Sequence, residues 1–251
     1  MKKQNILLGI ILFIVGFIGI LSILTMKLPI PEETMKLLLE KLTADQIKLV
    51  TLINPTIMLA IAIFIGVILY KKVNLKVPII EGIITRESSW DLIAILKYGI
   101  IGGIIGGILI TLISFIFYPF LPNEFIEFGE NMKPSLATRF LYGGLTEEIL
   151  LRFGFMTLIV WIASKIIKNG KNSIYWIGIF ISSILFAFGH FPIAFQAVEN
   201  PSTSLFAYIL IGNSIGGIIF GWLYWEKGLE SAFIAHIFAH IIMVIGEQFI
   251  K

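Results

Sequence analysis

Seven apolar runs, each about 20 residues or longer, divide this 251-residue chain, and that pattern leaves few folds open to it. At 1.5 Å per helical residue, such a run crosses a hydrocarbon layer of roughly 30 Å. No water inside that layer can satisfy backbone N–H and C=O groups, so runs of this length must bond internally, as helices rather than barrel strands. The residue balance agrees: 57% of the chain is hydrophobic and only 14% is charged, outside the mix of a soluble domain. The pattern predicts an all-α, polytopic integral membrane protein with helices over 5–26, 49–70, 94–121, 136–167, 173–194, 204–225 and 229–249. The fourth run exceeds 30 residues and contains Gly154, so it reads either as one tilted helix or as one that breaks and re-enters, giving seven spans or eight. No repeat, low-complexity tract or second domain is visible, and 1–251 is read as a single transmembrane domain.

Within the fourth run stand three charges, Glu147, Glu148 and Arg152, in GGLTEEILLRFGFMTLIVW. A charge at bilayer depth costs about 2.5–3.5 kcal/mol on insertion scales, so three together are expected to pair, to face protein and to have a task. Glu148 and Arg152 are four residues apart and share one helical face, which predicts an internal ion pair. Glu147 is rotated by ~100° from Glu148 and points into a different space. It lies roughly 16 Å along the predicted helix, too deep for its short side chain to reach either interface. That makes it the candidate general base.

All three histidines also fall in apolar runs. His190 closes the fifth as SSILFAFGHFP, with Phe186 one turn earlier, and His236 and His240 line one face of the seventh in SAFIAHIFAHIIM. Imidazole has two uses here. Histidines one turn apart suit metal ligation, and His236, His240 and His190 with a carboxylate would hold Zn²⁺ with one position left for water. Neutral imidazoles also orient water, stabilise an oxyanion or protonate a leaving amine with no metal at all. The H-E-x-x-H signature is not met, because Ile237 follows His236. The chain has no cysteine, which removes disulfides, thiolate nucleophiles and cysteine ligands and leaves the chemistry to His, Glu, Asp, Ser and Lys.

Taken together, these residues resemble the CAAX prenyl protease and bacteriocin-processing family of intramembrane proteases, also called the CPBP or abortive-infection family. Its pattern is E-E-x-x-x-R, then F-x-x-x-H, then H-x-x-x-N or H-x-x-x-D on successive helices. Glu147, Glu148 and Arg152 match the first motif, Phe186 and His190 the second, and His236 the start of the third. His240 departs from the pattern, standing where the family has Asn or Asp; a histidine there can still donate a hydrogen bond. The resemblance covers about 130–245. It implies a conical cavity open to the bilayer and to one aqueous side, with Glu147 activating water and the histidines assisting peptide cleavage. It further implies endoproteolysis near the C-terminus of prenylated proteins for some members, and peptide maturation or self-immunity for others.

Two other classes fit the same buried groups. Intramembrane Glu and His residues also mark proton or divalent-cation routes in transporters, although no inverted repeat or paired broken helices support that here. A non-catalytic binding or immunity protein on the same scaffold is the third reading. A net charge of +3 comes from dispersed residues with no cluster, so no nucleic-acid partner is indicated. The expected partners are the lipid bilayer and a peptide or lipidated protein substrate.

The N-terminal run after MKKQN is too long for a signal peptide and has no cleavage site, so it reads as a retained helix. With the N-terminus inside, the inner face collects eleven basic residues, Lys2, Lys3, Lys71, Lys72, Lys76, Arg86, Lys97, Lys165, Lys168, Lys171 and Lys227. The outer face collects seven, Lys27, Lys36, Lys41, Lys48, Lys133, Arg139 and Lys251, so the bias favours N-in and C-out, with the cell membrane as the expected location. Loop 27–48 has a helical apolar face suited to the interface, and loop 71–92 carries the basic residues expected to meet anionic headgroups. Gly99, Gly102, Gly103, Gly106 and Gly107 in the third run, and Gly212, Gly216, Gly217 and Gly221 in the sixth, predict close helix contacts within the molecule.

Overall fold

A computed structural model describes residues 3–26, 30, 32–87, 90–132, 134–168 and 170–249. Seven helices in it are long and apolar enough to cross a membrane: Lys3–Thr25, Ala44–Val73, Leu92–Phe120, Thr138–Ile166, Asn172–Ala197, Thr203–Lys227 and Leu229–Gly246. No strand occurs among the described residues. Lys2, Lys27, Lys133 and Lys251, used in the charge count, lie outside the described residues.

The predicted helix ends hold to within a few residues except at the second span, which starts at Ala44. Thr43 and Gln46 form a reciprocal cap there: the Gln46 amide donates to Thr43 Oγ1 at 3.3 Å and the Thr43 amide donates to Gln46 Oε1 at 2.8 Å. The interfacial loop therefore ends as a helical turn that runs into the membrane. In the other loop, Lys71 is engaged by Glu81 at 2.8 Å, so Lys72, Lys76 and Arg86 are the exposed cations left for headgroups. The sixth and seventh spans join at Gly228, whose φ of 102° and contact with Pro78 only glycine can accept.

The fourth span sits in the middle, touching the first, second, fifth, sixth and seventh. It neither breaks nor re-enters, which resolves the choice between seven and eight spans in favour of seven. Gly154, read as a possible break, instead lets the second span approach: a methyl group there would come within 2.8 Å of Ala62 Cα. What sets this span apart is its winding. Thr138–Glu147 and Ile149–Met156 follow the wider π pattern, with backbone bonds reaching five residues back, before the chain tightens to α from Thr157. Thr146 Oγ1 donates to Leu141 O at 3.5 Å and Thr157 Oγ1 to Arg152 O at 3.2 Å, each covering a carbonyl five residues earlier. Hydroxyls also fasten this wide helix to the first span, through Thr146 to Gly16 O at 2.8 Å and Thr138 to Ser22 O at 2.9 Å.

The third and seventh spans pack through one glycine stripe. Gly99, Gly103 and Gly107, four residues apart, bring the third span against the backbone at Ser231, Ala235 and Ala239. That contact is intramolecular, as the sequence predicts for this run. In the sixth span Gly217 packs against Ser183, Gly221 against Ile179 and Gly216 against Phe220 and Ile110, whereas Gly212 has no atom within 4 Å of a would-be Cβ and faces a cavity. Close approach of the third span holds the seventh in register with the fourth, and so fixes where His236 sits.

Gly103→Ala is expected to lower the thermal midpoint in detergent, since its methyl would lie 2.5 Å from Ala235 O and overpacking of this kind costs about 1–3 kcal/mol. Gly212→Ala is expected to leave the midpoint unchanged; equal midpoints for the two variants would remove the packing role of the stripe.

Candidate active site

The fourth span supplies the acid and base groups. Glu148 and Arg152 are both fully buried and form the expected ion pair, Oε2 to Nε at 3.2 Å. Arg152 Nη1 lies 3.5 Å from Ser182 Oγ, and its guanidinium stands 5.6 Å from the centre of the Phe186 ring, so part of its charge is met by a π face. Nη2 has no partner among the described residues. The pair lies between the fourth and fifth spans and is the polar centre of an otherwise apolar interior.

Glu148 has a second task that its sequence position does not reveal. Its other oxygen, Oε1, lies 2.9 Å from His236 Nδ1 on the seventh span. A carboxylate only accepts, so Nδ1 carries the proton and Nε2 is left as the working nitrogen. Nε2 points toward Glu147 Oε2 at 4.0 Å. The two adjacent glutamates thus stand on opposite sides of one imidazole, Glu148 holding it and Glu147 facing its free edge. Phe220 stacks on the His236 ring with centroids 4.6 Å apart, and Phe186 approaches edge-on at 6.1 Å.

His190, next to Gly189 at the end of the fifth helix, is oriented from its own turn. Its Nδ1 lies 2.9 Å from Phe186 O, which can only accept, so Nε2 is again the free nitrogen. The spacing of Phe186 and His190 therefore has a physical role, since the backbone of one fixes the ring of the other. The rings themselves meet edge to face at 4.8 Å.

Glu147, His190, His236 and His240 all line one cavity of about 400 Å³. Tyr142 and Asn213 line it too, and the sequence reading singled out neither. The signals were present: Asn213 is an amide within an apolar run, and Tyr142 precedes Glu147 by five residues, about one turn of a π-wound helix. Arg139 and Glu247 line its far end. A second, largely apolar groove of about 1040 Å³ runs between the second, fourth and fifth spans, walled by residues such as Met58, Leu151, Phe155 and Leu185. Tyr142, Glu147, Phe186 and His190 belong to both spaces. The base and one imidazole therefore sit at a seam between the two spaces, of which the chamber holds more of the ionisable groups.

His240 differs from the expectation of a convergent metal site. Its ring stacks on that of His236, with centroids 4.9 Å apart and planes at 20°, so the two present faces to each other instead of aiming lone pairs at one point. His236 Nδ1 and His190 Nδ1 are held by Glu148 and by Phe186 O, which leaves both Nε2 atoms free, so the misfit lies in the stacked His240 ring. Among the described residues no three of His, Cys, Asp and Glu are grouped to hold an ion, so the site as arranged does not fit the zinc set His190, His236 and His240. His240 Nδ1 is buried without a partner among the described residues, and Gly143 opposite makes room for the ring, since a Cβ there would lie 2.7 Å from Nε2.

Residues 130–242 match the family model described as type II CAAX prenyl endopeptidase Rce1-like, the grouping that the motifs resemble. No match was found among curated proteins or among solved structures.

Removing Glu148 would strand the Arg152 guanidinium in the interior. Glu148→Ala is expected to destabilise the fold by about 3–5 kcal/mol, read as loss of the cooperative unfolding transition in detergent. Glu147→Ala, at a cavity wall, is expected to keep that transition; matching losses in both variants would contradict the division of roles between the two glutamates.

Proposed function

We propose, from the match of residues 130–242 to the type II CAAX prenyl endopeptidase Rce1-like family model, that the chain is an intramembrane endopeptidase in which Glu147 activates water and His190, His236 and His240 assist. The observation that carries this reading is the 4.0 Å gap between Glu147 Oε2 and His236 Nε2, open to the cavity. A water about 2.8 Å from both atoms sees them at roughly a right angle, an ordinary geometry for two hydrogen bonds at one oxygen.

The steps follow from these groups. Glu147 takes a proton as the water oxygen attacks the peptide carbonyl carbon, and the carboxyl so formed returns that proton to the amide nitrogen as the C–N bond breaks. His236, held as the Nδ1 tautomer by Glu148, accepts a hydrogen bond from the water at Nε2 and so orients it while Glu147 takes the other proton. His240 is the group proposed to donate to the oxyanion through a ring N–H, while His190, whose Nδ1 proton is held by Phe186 O, offers Nε2 as an acceptor to the water or the leaving amine, and Arg152 and Phe186 support the rings.

The substrates proposed are membrane-associated proteins or peptides, prenylated CAAX-type chains among them, because an apolar groove of about 1040 Å³ beside Glu147 suits a lipid chain or an apolar peptide segment. The proposed setting is the cell membrane with the N-terminus inside, which turns the Arg139–Glu247 end of the chamber outward.

The test is cleavage of a quenched fluorescent prenylated peptide by the purified protein in nanodiscs. Glu147→Ala is expected to lower kcat/KM by about 10²–10⁴-fold, the usual contribution of a positioned base, with the unfolding transition retained. Wild-type turnover in that variant would reject the mechanism. Chelators are expected to leave the rate unchanged; a loss restored by one metal ion would replace this mechanism with a metal-dependent one.

A further inference from the structure

The chamber is rich in acceptors and poor in donors. Glu147 offers a carboxylate, and His190 and His236 each present a bare Nε2, because their ring protons are held at Nδ1 by Phe186 O and by Glu148. Hydrolysis asks for the reverse at one point: the substrate's carbonyl oxygen gains negative charge as water adds, and that charge is stabilised by donors already in place. Most of the other polar groups on the walls are occupied. Thr138 gives its hydroxyl to Ser22 O, Arg139 is closed on Glu247, Asn213 donates an amide N–H to Ile209 O, and the Tyr208 hydroxyl meets that of Ser114. Beside the His240 ring, that leaves the Tyr142 hydroxyl, which has no hydrogen-bond partner among the described residues.

Tyr142 also stands where the scissile carbonyl would lie. It lines both the chamber and the groove, as Glu147 and His190 do, whereas Asn213 and His240 line the chamber alone. Five residues separate it from Glu147, about one turn of this π-wound stretch, so the two side chains leave the fourth span on the same side. Its neighbour Gly143 shows how close the seventh span comes: a Cβ there would lie 2.7 Å from His240 Nε2 and 3.6 Å from His236 Nε2. The missing side chain at 143 thus lets both imidazoles come up against the stretch of helix that carries Tyr142. A phenol donates one directional O–H bond and, unlike an ammonium or a guanidinium, brings no positive charge that Glu147 would pair with.

We infer that Tyr142 is a further catalytic residue, whose phenolic O–H donates to the oxyanion at the scissile carbonyl from the groove side while His240 approaches from the chamber side. This rests on the protease reading above and adds a second donor to the one that reading supplies. As the water oxygen bonds to the carbonyl carbon, the C=O π pair moves onto oxygen and is met by both donors. When the C–N bond breaks, that pair returns to re-form C=O, and the phenol is released with its proton never transferred. The hydrogen bond is strongest while the oxygen is charged, so it lowers the barrier more than it aids substrate binding.

Tyr142→Phe removes one oxygen and keeps the ring. With the quenched prenylated peptide in nanodiscs, it is expected to lower kcat by about 10²–10³-fold, the loss that follows removal of one oxyanion donor, with KM unchanged. A phosphinic analogue of that peptide, whose tetrahedral P–O⁻ imitates the intermediate, is expected to bind Tyr142→Phe more weakly by a similar factor. Binding of the uncleaved peptide, measured by fluorescence anisotropy in the Glu147→Ala background, is expected to be the same with and without Tyr142→Phe. Equal losses for peptide and analogue overturn the assignment. The acid limb of the pH–rate profile is expected to stay in place. A limb moved to higher pH would mean that the hydroxyl supports the charge on Glu147, and overturns it too. If Tyr142→Phe loses the unfolding transition, replacement of Tyr142 by 3-fluorotyrosine, which keeps the hydroxyl, decides: its fluorine resonance is expected to shift when the phosphinic analogue binds, and an unmoved resonance overturns the assignment. Turnover that Tyr142→Phe leaves intact removes this assignment alone; absence of turnover by the wild-type protein removes the protease reading with it.

Discussion

A carboxylate with two partners, Glu148, governs the arrangement of the whole polar interior. One oxygen faces the Arg152 guanidinium and the other accepts the Nδ1 proton of His236 in a hydrogen bond, with Glu148 and Arg152 fully buried and only the far edge of His236 open to the chamber. Burying one such charge without partners would cost several kcal/mol after relaxation, and an arginine and a carboxylate together cost more. The interior tolerates them because each offsets the other and because hydrogen-bonding capacity beyond the pair is used: one carboxylate oxygen by imidazole, part of the guanidinium by Ser182 and by the face of Phe186. The consequence is mechanical as much as electrostatic. A bond between residues 88 positions apart holds the fourth span against the seventh, and it can form only if the seventh span is brought in to the right depth. The glycine stripe of the third span meets that requirement, since three missing side chains let backbone press on backbone behind His236.

With His236 fixed, the wide winding of the fourth span determines what faces it. Glu147 is the last residue of one π stretch and Glu148 lies at the junction with the next, so adjacent carboxylates leave the helix in different directions. One turns into the buried pair and the other into the chamber. In a π-wound stretch residues five apart come near alignment, which brings Tyr142 to the same walls as Glu147. Local departures from α geometry of this kind recur at functional sites, and here the departure is supported by threonine hydroxyls at 146 and 157 that reach carbonyls five residues back.

Much of this architecture was legible in the sequence because it depends on local spacing. Hydropathy and length gave seven spans; an i, i+4 offset gave the Glu148–Arg152 pair; a four-residue glycine repeat gave the third span's packing face. Features that depend on which residues meet across the bundle were not legible. Nothing in the spacing joins Glu148 to His236, or Arg139 to Glu247. The same i, i+4 rule that placed His236 and His240 on one face also suggested convergent ligands, but a shared face fixes neither ring rotation nor tautomer, and the rings stack instead. The early start of the second span was written locally in Thr43 and Gln46, a capping box that the hydropathy pattern alone passes over.

Hydrolysis inside a membrane has to reconcile water with an apolar substrate, and the two spaces beside Glu147 separate these demands. The chamber gathers Arg139, Asn213, the three histidines and Glu247, groups that hold water and charge. The groove gathers Met58, Leu151, Phe155 and Leu185, with Thr51, Asn54 and Gln196 as its further polar groups and no ionisable residue beyond the shared Tyr142, Glu147 and His190. A peptide bond lying across the seam would expose its carbonyl to the polar side while neighbouring apolar groups stayed on the other, so water need not cross the hydrocarbon to reach it. The low polarity around the seam would in turn strengthen each hydrogen bond made to the developing oxyanion, because fewer competing dipoles surround it. The Glu148–His236 bond keeps the seam narrow: it ties the fourth span to the seventh on the chamber side, and the apolar packing of Gly154 on Ala62 ties it to the second span on the groove side.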